Sequence, residues 1–422
     1  MKVLLLSSSD FIGGAARAAY RLHKGFEQLK IDTQMLVQVK SSDDASVVAP
    51  QTNLKKSAVA LRPSLDYLPL RLYPQRDRTN FSTQWVPDSI ASRIKQLAPD
   101  IVNLHWVCDG FLQIETLAKL DRPIVWTLHD MWAFTGGCHY SQDCDRYTAS
   151  CGNCPQLHSD QTCDLSRWIW SRKTKAWKNL NLTIVTPSHW LAKCARTSSL
   201  FQGLPIEVIP HGIDLEQYKP IDRKLARSIL NLPQDKQLIL FTAVQATSDR
   251  RKGFHLLRAA LEHLNQLDRA AKAELLVVGA FQPSDSIELG LQTRYLGRLN
   301  DDVSLALTYA AADVFVAPST QDNLPNTVME AIACGTPCVA FNIGGMADLI
   351  DHQCNGYLAQ PFQTEELAHG IAWILADPER HRRLAEAARQ KAEQEFALEK
   401  QATRYVTLFQ QVLAGIRLPS ST

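Results

Sequence analysis

The sequence predicts an α/β protein built of two doubly wound, Rossmann-like domains facing each other across a cleft. Its 422 residues exceed what one hydrophobic core usually holds. Short apolar runs alternate with helically spaced segments in two successive series, the pattern of parallel strands joined by crossover helices. The stretch 312–319, continuing through Asp322, Asn323, Leu324, Pro325 and Asn326 to Glu330 and Gly335, reads as a buried strand, a polar turn and a short helix. That unit brings a carboxylate and a helix start to the carboxyl end of a strand, where open α/β sheets bind ligands.

Along the first series, strands are expected at 3–6, 33–39, 101–106, 124–128, 183–186 and 207–209. Helices are expected at 15–29, where Tyr20, Leu22, Phe26 and Leu29 recur at helical spacing, and at 88–97. The second series has strands at 238–244, 275–279, 294–296, 314–317 and 338–341, with helices at 254–264 and 303–311. Pro325 suits a first helical position and Gly335 the residue past the end. Asn326 and Glu330 share one helix face; Val328 and Ile332 share another that packs inward. Turn-prone Gly and Pro mark a seam at 211–220. The expected domains are 1–210, with a Cys-rich loop at 131–160, and 221–395, joined by the linker 211–220. Residues 396–422 form a terminal helix returning to the first domain. Residues 41–86 give no element. Lys55, Lys56, Arg62, Arg71, Arg76 and Arg78 gather there, as a solvated loop or as one resting on an anionic bilayer or an acidic acceptor, the solvated loop leading.

Hydrophobic residues at 45% and charged ones at 21% fit a soluble globular protein, and a net charge of +2 gives no general pull toward nucleic acid. No apolar run approaches the roughly 18 residues of a spanning helix, and the opening run from Met1 to Leu6 is too brief for a signal-peptide core. A cytoplasmic location is expected, with the ten cysteines reduced unless they hold metal. Cys138, Cys144, Cys151 and Cys154 fall within 17 residues, the last two as Cys-x-x-Cys. Structural zinc, with His139 as an optional ligand, and reduced thiols are both open, with disulfides behind them; the loop 132–157 shows little other means of order.

Asp322, seven residues, Glu330 and then Ala333-Cys334-Gly335-Thr336-Pro337 form an acidic pair on a turn and helix. With Gly13-Gly14-Ala15, Thr127-Leu128-His129-Asp130, Pro210-His211-Gly212-Ile213-Asp214 and Arg251-Lys252-Gly253, in that order and spacing, the chain resembles the retaining, nucleotide-sugar-dependent glycosyltransferases of family 4, which have the GT-B fold. The likeness covers nearly the whole length. Asn103-Leu104-His105-Trp106 and the segment from Trp126 to Tyr140 resemble members that build exopolysaccharide or lipopolysaccharide-type chains. Two departures stand out. Asp322 is one methylene shorter than the usual Glu, and Asn323-Leu324-Pro325 replaces a Gly-aromatic-Gly stretch, with Pro325 unable to donate an amide. An arginine usual before the lysine is replaced by Ala246 and Thr247, leaving Arg250 or Arg251 to substitute.

The resemblance implies transfer from a UDP-, GDP- or ADP-sugar to a hydroxyl of a glycan or lipid-linked acceptor, with no cofactor or divalent metal for chemistry and no nucleic acid. A peripheral inner-membrane contact would suit such an acceptor. Lys252 and Arg251 would clamp the diphosphate. Charge-assisted hydrogen bonds contribute about 1.5–3 kcal/mol each against about 0.3–1 for a helix terminus, so the side chains outweigh the dipole. Glu330 would hold the donor ribose, Asp322 the transferred sugar, and Asn326 and Thr327 would add donor contacts. His129, at a strand end, would lie near the donor sugar, with His105 toward the acceptor; Gly13, Gly14 and Gly344-Gly345 would let backbone approach. Retention is implied by same-face attack assisted by the leaving phosphate, so neither carboxylate is assigned as a nucleophile. A non-catalytic sugar-nucleotide-binding protein, or an epimerase or phosphorylase of the same architecture, is the alternative.

Overall fold

The computed structural model describes residues 1–50, 53–243, 249–266, 272–281, 290–299 and 301–416. The chain divides into two compact units, Met1–Pro210 with Gln401–Thr422, and His211–Lys400. Val244, Ala246 and Thr247 lie outside the described residues.

The first unit runs β1 (Lys2–Ser9), α1 (Gly14–Gln28), β2 (Asp32–Val39), β3 (Val47–Val48), α2 (Asn53–Asp66), α3 (Ile90–Leu97), β4 (Ile101–Leu104), β5 (Ile124–Thr127), α4 (Leu165–Trp177), β6 (Leu182–Thr186), α5 (His189–Thr197) and β7 (Ile206–Val208). Its strands form one parallel sheet in the order β3-β2-β1-β4-β5-β6-β7. Central strands are covered on both faces, which is why they read as continuous apolar runs. One face packs Val3, Leu5 and Phe26 against Tyr405 and Phe409, and the other carries Trp126, Trp132, Trp177 and Phe201.

The second unit runs α6 (Arg223–Ile229), β8 (Gln237–Thr242), α7 (Phe254–Gln266), β9 (Ala273–Val278), β10 (Gln292–Tyr295), α8 (Asp302–Ala311), β11 (Val314–Ala317), α9 (Asn326–Ala333), β12 (Cys338–Phe341), α10 (Met346–Leu349), β13 (Gly356–Ala359), α11 (Thr364–Ala376) and α12 (Pro378–Glu395). Its parallel sheet has the order β10-β9-β8-β11-β12-β13. The last helix, α13 (Leu398–Leu413), packs its Tyr405 and Phe409 on Phe26 of the first unit's core, with ring centroids 6.2 and 5.6 Å away.

Two expectations are corrected. Residues 41–86 are not an element-free loop: β3 extends the sheet edge, α2 follows, and a 3-10 turn spans Leu68–Leu72. Pro63 inside α2 hides the helix from propensity reasoning. The Cys-rich loop also has means of order beyond metal. Lys173, fully buried on α4, donates to the carbonyls of Trp132 and Thr135, the latter at 3.0 Å, and lies 3.7 Å from the Trp132 ring centroid. Among the described residues, no helix is long and apolar enough to cross a membrane.

Candidate functional site

In each sheet the strand order reverses direction beside the first strand, between β1 and β4 and between β8 and β11. Loops leaving a sheet at such a switch point diverge and open a crevice at the strands' carboxyl ends. Gly13, His105, Arg251, Lys252 and Asp322 sit on these loops, with Asn326, Thr327 and Glu330 on the helix that follows one of them and His129 after the neighbouring strand β5.

In the second unit, the turn after β8 carries Arg251 and Lys252, and the turn after β11 carries Asp322. Lys252 Nζ lies 2.6 Å from Asp322 Oδ2, and Arg251 lies 3.4 Å from the same oxygen. Arg251 also donates to the Gln321 carbonyl at 3.0 Å, and Thr320 N–H donates to the Arg251 carbonyl at 2.8 Å, tying the two turns together. Such close approach requires glycine. A Cβ on Gly253, at φ +75°, would meet the Pro318 oxygen at 1.8 Å; one on Gly344, at φ +53°, would meet the Asp322 oxygen at 1.9 Å. Asp322 is 6% exposed. Burial pushes its carboxyl pKa up, but Lys252 and Arg251 together outweigh that, leaving it below the ordinary carboxylate value.

α9 opens directly after this turn. Pro325 caps the helix from the preceding position, with φ −68° and ψ 121°, so Asn326 rather than Pro325 is the first helical residue. Asn326 and Thr327 are half-buried in the first turn. Glu330 is 3% exposed and accepts a 3.0 Å hydrogen bond from the Tyr309 hydroxyl, so it is a held carboxylate rather than a solvated one. Tyr309, on α8, escaped the sequence reading. Its partner lies 21 residues away, and no local pattern links them.

In the first unit, Gly13 caps α1 and Gly14 begins it, both exposed. His129, half-buried, follows β5, and its Nε2 is 3.0 Å from His105 Nδ1. Asp130, the next residue, is held by other partners. Its carboxylate takes His139 Nδ1 at 2.6 Å, the Trp106 indole at 2.9 Å and Trp132 N–H at 2.9 Å. His139 Nε2 meets Ser82 Oγ at 2.9 Å, so both its ring nitrogens are engaged and it is not spare for zinc.

The four cysteines share one loop, and Cys138, Cys151 and Cys154 are buried. Burial pushes their thiols up, that of Cys151 to about 12. As the loop stands they do not form a metal cage. Among the described residues, the group of three ligating side chains whose donor atoms lie within 4.8 Å of one another is His23, Glu27 and Asp44. There the Lys24 ammonium already bridges both carboxylates, a closed ion network.

Residues 12–217 match the family model described as Glycosyltransferase Family 4, and residues 222–391 the one described as Glycosyl transferases group 1. The D-inositol 3-phosphate glycosyltransferase of Saccharomonospora viridis is 29% identical over 235 residues, 52% of this chain and 53% of the relative. The chain thus spans about half the length of the curated relatives it matches. Among solved structures, sucrose-phosphate synthase from Thermosynechococcus elongatus superposes with a TM-score of 0.69 at 19% identity, covering 98% of this chain and 100% of that one. Anabaena Alr3699/HepE in complex with UDP-glucose gives 0.62 at 19% identity, covering 97% and 100%. These likenesses establish the GT-B fold. With the two family models together running from residue 12 to residue 391, the chain belongs to the glycosyltransferases, a family 4 domain followed by a group 1 domain.

Proposed function

We propose that the chain is a retaining glycosyltransferase that moves a sugar from a nucleoside diphosphate to a hydroxyl of a glycan or lipid-linked acceptor. The convergence of Lys252, Arg251 and Asp322 at the switch point of the second sheet, beside the opening of α9, carries this reading. The HepE structure that holds UDP-glucose supports the donor class. Departure of the nucleotide leaves negative charge on its diphosphate, and the Lys252–Arg251 clamp stabilises it. Glu330, held by Tyr309, fixes the ribose; Asp322 meets the sugar; Asn326 and Thr327 supply donor contacts in place of the amide that Pro325 lacks. His129, with Gly13 and Gly14, belongs to the first domain's share of donor and acceptor. No step needs a metal.

A thermal-shift panel of UDP-, GDP- and ADP-sugars, followed by transfer of labelled donor, tests this. One donor should raise Tm and turn over, and Glu330→Ala should abolish both. Absence of any shift and of turnover would overturn the reading. The non-catalytic alternative draws on Pro325 and on the pairing of Lys252 with Asp322; turnover by wild type removes it.

Two finer points belong to the same reading. Leu61, Leu65, Leu68 and Leu72 are exposed on α2 and the turn after it, while Asp66 among them is buried against Thr83, which suits a peripheral contact with an anionic leaflet on the cytoplasmic side. Co-sedimentation with phosphatidylglycerol vesicles that persists in a Leu61→Asp, Leu65→Asp variant would reject it. A structural zinc on Cys138, Cys144, Cys151 and Cys154 would have to draw the sulfurs together, and the nearby buried Lys173 ammonium would offset part of the site's net negative charge; metal-free, folded protein after expression with zinc would exclude it.

A further inference from the structure

Strand β4 is apolar except for Asn103, which is completely buried. A buried amide has to be satisfied, and this one is, in a way that fixes its orientation. Nδ2 lies 3.0 Å from the Val125 carbonyl oxygen and 3.1 Å from Thr127 Oγ1. A carbonyl only accepts, so the amide nitrogen faces β5 and Oδ1 is left for His105 Nε2, 3.0 Å away. His105 therefore carries its proton on Nε2. In the neutral ring Nδ1 is then the lone-pair atom, and it lies 3.0 Å from His129 Nε2. That nitrogen must donate. The neutral His129 ring consequently has Nδ1 as its acceptor atom. At the other end, Thr127 Oγ1 lies 2.8 Å from the Tyr405 hydroxyl, on the helix formed by the last part of the chain.

We propose that Asn103, acting through His105, sets the tautomer of His129, with Thr127 and Tyr405 anchoring the far end of the relay. Asn103 and His105 are positioning residues, and what they position is a hydrogen-bond acceptor. For its kinetic consequence alone the inference rests on the donor reading above, which places His129 near the donor sugar. Helix α13 supplies the anchoring hydroxyl from a position more than 270 residues beyond the strand it supports.

The test is a nitrogen-15 NMR spectrum of imidazole-labelled, full-length protein without donor, recorded about two units above the ordinary histidine pKa of about 6.5. His105 and His129 should both appear as the Nε2–H tautomer. Asn103→Leu should give a mixture of tautomers at His129. With an active donor, Asn103→Leu should lower kcat about tenfold while KM changes little. Wild-type His129 in the Nδ1–H form, or an unchanged His129 in folded Asn103→Leu protein, would overturn the proposal. If the leucine variant does not fold, the wild-type spectrum alone decides. Because the tautomers are read without donor, failure of the relay and failure of the donor reading are separate results.

Discussion

Lys252 and Asp322 form a 2.6 Å ion pair between the turns that follow β8 and β11. Each residue comes from a different βα connection, and the pair closes only because Gly253 and Gly344 let backbone pass within contact of backbone. The cation proposed for the diphosphate is therefore already paired with a carboxylate. On the proposed reading a donor would have to compete with, or share, that carboxylate, which would couple the two halves of donor recognition.

Loss of the clamp should cost turnover. Lys252→Ala is expected to lower kcat at least about tenfold, equivalent to about 1.4 kcal/mol in the barrier. Steady-state kinetics with the donor found by thermal shift provide the check. Unchanged rates in a protein with wild-type circular dichroism would remove Lys252 from the diphosphate site.

Asp322 gives a pH signature. Its folded pKa lies below the ordinary carboxylate value of about 3.9, so its stabilising contribution is present above that value and is lost as pH falls through the folded pKa. In Lys252→Ala the burial that pushes the carboxyl up is opposed by Arg251, at 3.4 Å, and the Asn323 N–H, at 3.1 Å, without the lysine. The folded pKa should rise, and the variant's Tm should begin to fall at a higher pH than wild type. Tm curves between about pH 3 and 6 should therefore diverge; parallel curves would contradict the assignment of the pair.

Much of this site was legible because its signals are local. Asp322, Pro325, Glu330 and Gly335 lie on one strand–turn–helix unit, and spacing alone places them. Lys252 and His129 were legible as residues just past apolar strands. What holds them was not. Tyr309 on Glu330, Tyr405 on Thr127 and Lys173 under the Cys-rich loop are partnerships between distant segments, and each is a polar group in an otherwise apolar stripe. Asn103 did carry a sign, as the one amide in the run Ile101-Val102-Asn103-Leu104. Helix α2 was hidden because Pro63 and outward-facing leucines both argue against a packed helix.

Gly253 should tolerate no side chain. At φ +75°, with the Pro318 oxygen 1.8 Å from an ideal Cβ, Gly253→Ala combines left-handed strain with a backbone clash. A loss of about 1–3 kcal/mol is expected in urea denaturation. Activity should fall as well, because relief of the clash separates the Lys252 turn from Asp322. A variant as stable and active as wild type would show that the two turns do not need this approach.

Lys173 makes the strongest stability prediction. It is fully buried, held by two carbonyls and an indole face rather than by a carboxylate, and burial pulls its pKa down to about 7. The unfolded chain keeps this proton until about pH 10.4, so between about 7 and 10 the unfolded state binds more protons than the folded one. The penalty for burying the ammonium is thus full below about pH 7 and is relieved as pH rises. The buried thiols act in the opposite sense above about pH 8.5, where the unfolded chain loses their protons, so the signature is a difference: from about pH 7 to 8.5 metal-free wild type should gain stability relative to Lys173→Met. Four zinc-bound thiolates beside the ammonium would instead keep it charged and flatten the slope. Urea denaturation of chelated and zinc-supplemented wild type and Lys173→Met at both pH values reads the difference, and parallel profiles for chelated wild type and variant would refute the account of Lys173.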